Sequence, residues 1–179
     1  MKFSLLCVAL FMTILLSVGC MQPLPPLPPT PTTIEGVVLP FETLIQGSIC
    51  ADLGPESQIF LASTEDEWNE LQSGILSSID VAFLTNAVED TNFQTHALLL
   101  ALRDCHPTTG YEIIIDRAVE VIRGQLHVYV ALFDPVPGQP VGAAEYGYYH
   151  LTRLPWIGGN STNLTIDVVT YKLWNDNRH

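Results

Sequence analysis

Basic residues are scarce in this chain: lysine and arginine together number 7 of 179, against 19 aspartates and glutamates. A formal charge of −12 opposes binding to nucleic acid or to anionic lipid, both of which recruit clustered cations. Glycine-rich phosphate loops are missing, as are the HExxH and CxxC spacings that hold zinc. His96, His106, His127 and His150 stand far apart along the chain. Nucleotide chemistry and a resident metal therefore have no motif to carry them, and no cofactor is expected. Cysteine is confined to Cys7, Cys20, Cys50 and Cys105.

What is abundant comes first at the N-terminus. Lys2 precedes an apolar stretch from Phe3 to Ile14, broken only by Ser4 and Thr13, which has the form of an export signal. Its end, Leu16-Ser17-Val18-Gly19-Cys20, resembles a bacterial lipobox, which implies cleavage before Cys20 and a diacylglyceryl group on its thiol. Residues 1–19 then form a lipoprotein signal peptide, and 20–35 the lipidated cysteine with its tether. Six prolines among residues 21–33 favour stiff, extended polyproline II. Residues 36–174 are long enough for one domain with a real core, followed by a polar tail, 175–179. Without residues 1–19 the chain keeps 6 basic and 19 acidic residues, a formal charge of −13. Lipid rather than charge would hold it at the membrane, on the extracytoplasmic face of a bacterial cell envelope. Cys50 and Cys105 remain as an even pair in an oxidising compartment. Bridged, they close a loop of about 55 residues, worth about 4 kcal/mol by chain entropy; the alternative is two separate buried thiols.

The folded part alternates more like sheet than helix. Glu35–Gln46, Gln58–Ala62, His96–Arg103, Tyr111–Asp116, Gln125–Asp134 and Leu164–Leu173 read as extended segments, with Val141–Leu154 carrying Tyr146, Tyr148 and Tyr149. In Gln125–Asp134, Leu126, Val128, Val130 and Leu132 share one face and His127, Tyr129, Ala131 and Phe133 the other. One helix is clear: Thr64 and Glu67 form a capping box, acidic residues fill the first turn, and Trp68, Leu71 and Ile75 recur at helical spacing. Residues 77–95 are ambiguous, with a short helix near Val81–Val88 as one option. The expected fold is mainly β (α+β), an antiparallel sheet or sandwich-like domain with one principal packed helix.

Chemistry is thin, and catalysis is not expected. Cys105 and His106 are adjacent, and neighbours in an extended segment point to opposite faces, so they do not form a thiolate–imidazole pair. The acidic residues Glu65, Asp66, Glu67 and Glu70 read as a solvated helix face. Two strand-end segments carry binding chemistry instead. Cys105–Tyr111 (CHPTTGY) reads as a tight turn or as a recognition loop, offering Thr108, Thr109, Gly110 and Tyr111. Arg153-Leu154-Pro155-Trp156 offers a cation, Arg153, and an indole, Trp156. Tyrosine, tryptophan and arginine concentrate binding energy at protein interfaces. The plainer reading of both segments is a satisfied turn with its aromatic packed inward.

Several pieces in order are similar to the PrcB C-terminal-like domain family of small bacterial lipoproteins. They are TLIQGS (43–48), STEDEWNEL (63–71), TNFQTHALLLALR (91–103), PTTGYEIII (107–115), LHVYVALFDPVPG (126–138) and AEYGYYHLTRLPW (144–156). The family's turn has threonine, two glycines and tyrosine; Thr108, Gly110 and Tyr111 match it, and Thr109 replaces the first glycine. Gly147 likewise stands ahead of Tyr148 where the family has proline. The resemblance covers about residues 36–170 and implies a non-catalytic subunit that attaches to or assembles an exported protease. PTTGY and RLPW also resemble two loops of chagasin-type inhibitors of papain-like cysteine proteases, with Leu154 intervening where proline would follow arginine. That second likeness implies that Thr108, Thr109 and Gly110 enter a protease cleft while Arg153 and Trp156 flank it.

Overall fold

A computed structural model describes residues 36–50, 57–78, 82–122, 125–138, 140–155 and 165–175. The expected signal peptide, Cys20 and its tether lie outside these residues, as does Trp156. Eight strands follow in order: β1 (Val37–Leu39), β2 (Glu42–Ser48), β3 (Gln58–Ala62), β4 (His96–Thr108), β5 (Glu112–Ile122), β6 (Gln125–Pro135), β7 (Ala143–Pro155) and β8 (Thr165–Asn175). Two helices, α1 (Glu65–Ser73) and α2 (Ala82–Val88), stand between β3 and β4, separated by the 3₁₀ turn Ile75–Ser78. The strands form two four-stranded sheets, β1-β5-β6-β8 and β2-β7-β4-β3. The chain is therefore mainly β. The ambiguous 77–95 segment contributes a second α-helix rather than irregular packing.

Each layer follows from where apolar residues fall. Ala97, Leu99 and Ala101 of β4 join Ile113, Ile115 and Ala118 of β5 and Leu126, Val128 and Val130 of β6 in one cluster between the two sheets. The alternate residues Leu98, Leu100 and Leu102 face the other way and pack with Trp68, Leu76, Leu84 and Val88 of the helical layer. Strand β4 is thus buried on both faces, which is why HALLLALR is a continuous apolar run without alternation. Half of the capping box forms as expected, with Thr64 Oγ1 accepting from Glu67 N–H at 3.2 Å, while Glu67 Oε2 reaches one residue beyond the cap, to Ser63 N–H at 2.7 Å and Ser63 Oγ at 2.8 Å. It starts α1 at the angle that drives Trp68, 3% exposed, into this cluster.

Among the described residues all strand pairings are antiparallel except one. Strand β8 runs parallel to β6, because β7 between them crosses to the other sheet and the chain must return from the same end. Strand β4 extends through Thr108 rather than ending at Arg103. Two register shifts accommodate this: two residues, Asp104 and Cys105, face the single Gly147 of β7, and beyond the His106↔Tyr146 pair β7 carries the extra residue. The first bulge reverses the alternation of β4, so Arg103 and His106 share a face while Cys105 turns elsewhere. Cys105 is bonded to Cys50, with Cα atoms 5.1 Å apart.

That bridge imposes a local constraint. Strands β2 and β4 are separated by β7, and next-nearest strands lie about 9.6 Å apart in a regular sheet. Beyond Ser48 the chain therefore passes over β7, with Ile49 N–H donating to Gly147 O at 2.8 Å. A Cβ at position 147 would sit 2.3 Å from Ile49 O and 2.8 Å from Arg103 O. Both are backbone atoms tied down by the bridge and the ladder. Replacing Gly147 with alanine is expected to lower unfolding free energy by about 3 kcal/mol in urea denaturation, and a change under about 0.5 kcal/mol would contradict the close approach.

A second internal tie joins the sheets. The register shift in β5 after Ile115 frees that residue's N–H, which donates to His150 Nδ1 of β7 at 2.8 Å. Nε2 lies 2.9 Å from Thr43 Oγ1. Burial lowers the His150 pKa from 6.5 to about 4, and a proton on Nδ1 would also break the Ile115 bond. The unfolded imidazole protonates near 6.5 and the folded one only near 4, so protons favour the unfolded chain below about 6.5. Stability from this group is complete above that pH and falls by up to about 3 kcal/mol as pH drops to about 4. An NMR titration is expected to show the His150 ring unprotonated at pH 5; a midpoint at 6 or above would contradict this burial.

Candidate functional site

The end of the two sheets where β4 hands over to β5 gathers most of the polar chemistry. Its centre is Arg103, 6% exposed, where the apolar run of β4 ends and its polar last stretch toward Thr108 begins. Nη1 donates to the carbonyls of Glu112 at 2.9 Å and Phe133 at 2.8 Å. Those residues are the last register pair of the β5–β6 ladder. Nη2 is paired with the Asp134 carboxylate, and Nε donates to His106 Nε2 at 3.2 Å. One side chain from one sheet thus holds the terminus of the other.

The turn is built on this base. His106 stacks on Tyr111 with centroids 3.8 Å apart and planes 10° from parallel, and the Arg103 guanidinium lies 4.8 Å from the Tyr111 centroid. Burial lowers the His106 pKa, as does the Arg103 charge, so the imidazole in the stack is neutral at physiological pH. Thr109 N–H donates to Gly142 O at 2.9 Å, and Gly142 N–H returns a bond to Thr109 Oγ1 at 2.8 Å. Gly110 has φ +96°, a left-handed conformation that glycine adopts without strain. Its carbonyl accepts from Asn175 Nδ2 at 3.0 Å. Asn175 is the last residue of β8, so the strand continues into what reads as the polar tail.

These contacts answer the two readings of CHPTTGY. Cys105 to Thr108 belong to strand β4, and only Thr109, Gly110 and Tyr111 make the connection. The turn is both satisfied and presented: in front of it lies an open groove of about 630 Å³, lined by Gln46, Ser48, Tyr111, Glu112, Tyr148 and Asn175 among others. A second hollow, about 650 Å³, lies on the Arg103–His106 side between Ile59 of β3 and Val168 of β8. Arg103 and His106 line one and Tyr111 the other, so the stacked ring is a partition between them.

Arg153 is elsewhere. It pairs with Leu98 at one end of the β4–β7 ladder, whereas Thr108 pairs with Ala143 at the other, ten residues or about 33 Å along the strand. Its guanidinium is also engaged: Nη2 and Nε donate to Glu42 Oε2 at 2.5 and 3.2 Å, and Nη1 to Asp90 O at 3.4 Å. Thr108, Thr109, Gly110 and Tyr111 are brought together; Arg153 does not join them. Sequence reasoning did not single out Arg103, Glu112, Gln46 or Asn175. A lone cation closing the apolar run HALLLALR was the available signal, since a charge at the end of a doubly buried strand must find a partner. Among the described residues no group of three or more His, Cys, Asp or Glu is placed to hold a metal.

Comparison with known proteins is negative in all three respects: no family model matches the chain, no curated protein matches it, and no solved structure matches it.

Replacing Arg103 with methionine, close in volume and without charge, would leave two carbonyls without their donor and Asp134 with only the longer, exposed Lys172 contact at 3.8 Å. An unfolding free energy lower by about 3 kcal/mol is expected, together with faster amide exchange at Thr109, whose bond to Gly142 depends on the turn staying seated. Unchanged exchange at Thr109 would show that the turn stands without Arg103.

Proposed function

We propose that this chain is a lipid-anchored, extracytoplasmic protein-binding module with a sandwich-like arrangement of its two sheets. It is non-catalytic and of the PrcB C-terminal-like kind, and its partner is an exported protease or the assembly around one. The observation that carries this reading is the Tyr111 turn. Four separate ties fix it: the Thr109–Gly142 pair, the Asn175–Gly110 bond, the His106 stack and the Arg103 base. A half-buried tyrosine nevertheless remains at the wall of an open groove. Rigid, partly exposed aromatics on strand-end loops suit protein recognition, because little side-chain freedom is lost on binding.

Catalysis by Cys105 has no support, since its sulfur is committed to Cys50. The chagasin-like alternative, inhibition of a papain-like protease through residues 107–111 and 153–156 together, requires both segments in one cleft. Their separation at opposite ends of the β4–β7 ladder favours the single-site module. Pull-down from crosslinked bacterial membranes is expected to recover a partner with the native chain and to lose most of it with Tyr111→Ala. Equal recovery with this variant would exclude the turn as the interface, and a titratable block of papain by the isolated chain would favour the inhibitor reading instead.

A further inference from the structure

The groove beside Tyr111 has an unusual balance of hydrogen-bonding groups. Among the described residues, its only charged lining residue is Glu112. One carboxylate oxygen, Oε1, accepts from Gln46 Nε2 at 2.6 Å, and the other has no partner among the described residues. Asn175 donates one amide N–H to Gly110 O and keeps its carbonyl oxygen as an acceptor. Two tyrosine rings, Tyr111 and Tyr148, complete the wall, and Tyr146 lies 6.3 Å from Tyr148, ring centroid to ring centroid. Among the described residues, no lysine, arginine or histidine lines the groove. The nearby Arg103 guanidinium is committed to Asp134 and to two carbonyls, so its charge is answered within the wall rather than offered to the groove. Set among amides and hydroxyls that can donate or accept, the parts of its lining that discriminate by charge are a carboxylate oxygen, an amide oxygen and aromatic rings.

Each of those groups attracts the same kind of ligand. Ring faces carry negative quadrupolar potential that favours cations, and a half-buried carboxylate without a counter-ion gains most from one. The chain's surplus of acidic over basic residues adds a field of the same sign at longer range. We infer that the groove between Tyr111, Tyr148 and Glu112 receives a basic side chain, lysine or arginine, presented by the protein partner. This rests on the protein-binding reading above and adds the chemistry of the contact. One unshared carboxylate oxygen beside an acceptor amide suits an ammonium or one edge of a guanidinium, while an acidic or purely aliphatic anchor would leave these acceptors desolvated and unpaired.

The test uses the full chain and small probes: blocked lysine, blocked arginine, blocked norleucine, choline and a chitin oligosaccharide, followed by NMR shifts of the Tyr111, Glu112 and Tyr148 amides. Lysine and arginine probes are expected to shift these resonances with dissociation constants in about the millimolar range, weakened about tenfold by Glu112→Gln. Raising salt from about 20 mM to about 500 mM should weaken them similarly, a readout that needs no variant. Norleucine binding as tight as lysine, or no response to either charge perturbation, would overturn the inference. Choline or the oligosaccharide binding more tightly than both amino acids would replace the partner side chain with a small ligand. If a partner captured by the native chain is lost with Tyr111→Ala but kept with Glu112→Gln, the cation inference fails alone; if both variants retain it, the protein-binding reading fails with it.

Discussion

A buried guanidinium organises one whole end of this molecule. Charge cannot be left unpaired in an apolar interior, and Arg103 leaves β4 toward the end of the β5–β6 ladder. The protein meets that requirement by bending the neighbouring structure around it. The last carbonyls of the β5–β6 ladder turn toward Nη1, the carboxylate of Asp134 comes to Nη2, and the imidazole of His106 comes to Nε. Because His106 then serves as the floor for Tyr111, the position of the Thr109–Tyr111 turn is set by the need to satisfy a cation one strand away.

The disulfide and Gly147 make that arrangement reachable. An unbulged β4 would alternate Arg103 and His106 onto opposite faces, and neither the Nε contact nor the stack would exist. The extra residue across from Gly147 shifts the alternation, and the bridge from Cys105 to Cys50 fastens the bulge from the opposite side of β7. A side chain at 147 has nowhere to go between Ile49 and the bulge. Bulge, glycine and bridge therefore act as one unit, and the aromatic platform is its consequence several residues downstream.

Much of the fold was legible in the sequence because it follows from local patterns. The capping residues Thr64 and Glu67 and the two-sided alternation of Gln125–Asp134 each encode their own structure within a few residues, and the cysteine pair, 55 residues apart, follows from simple pairing of the two that remain. What was not legible depends on contacts distant in sequence. Strand β4 passes through Pro107 because β7 offers a compensating extra residue, and nothing near Pro107 announces this. The parallel seating of β8 on β6 arises from β7 changing sheets. Asn175 lies in a stretch that reads as a polar tail, and its role comes from meeting Gly110, 65 residues earlier. Arg153 failed to join the turn for the same reason: the motif is local, but its place along the β4–β7 ladder is a property of register.

The same geometry bears on how such a module would select a partner. A turn held by backbone bonds, a stack and a buried ion pair has little freedom left to adapt, so complementarity must come from the other molecule. Thr109 gives the turn a hydroxyl that accepts from Gly142, and a residue other than glycine there exchanges backbone freedom for a fixed shape. Rigid presentation lowers the entropic cost of association but narrows the range of surfaces that fit. An acidic, cation-poor chain restricts that range further, since like-charged surfaces are repelled before contact and basic ones are steered inward. Under the proposed anchoring, the lipid supplies proximity to the membrane while the groove supplies discrimination. The two tasks sit on separate parts of the chain, so the recognition surface need not carry the basic residues that a charge-held membrane protein would require.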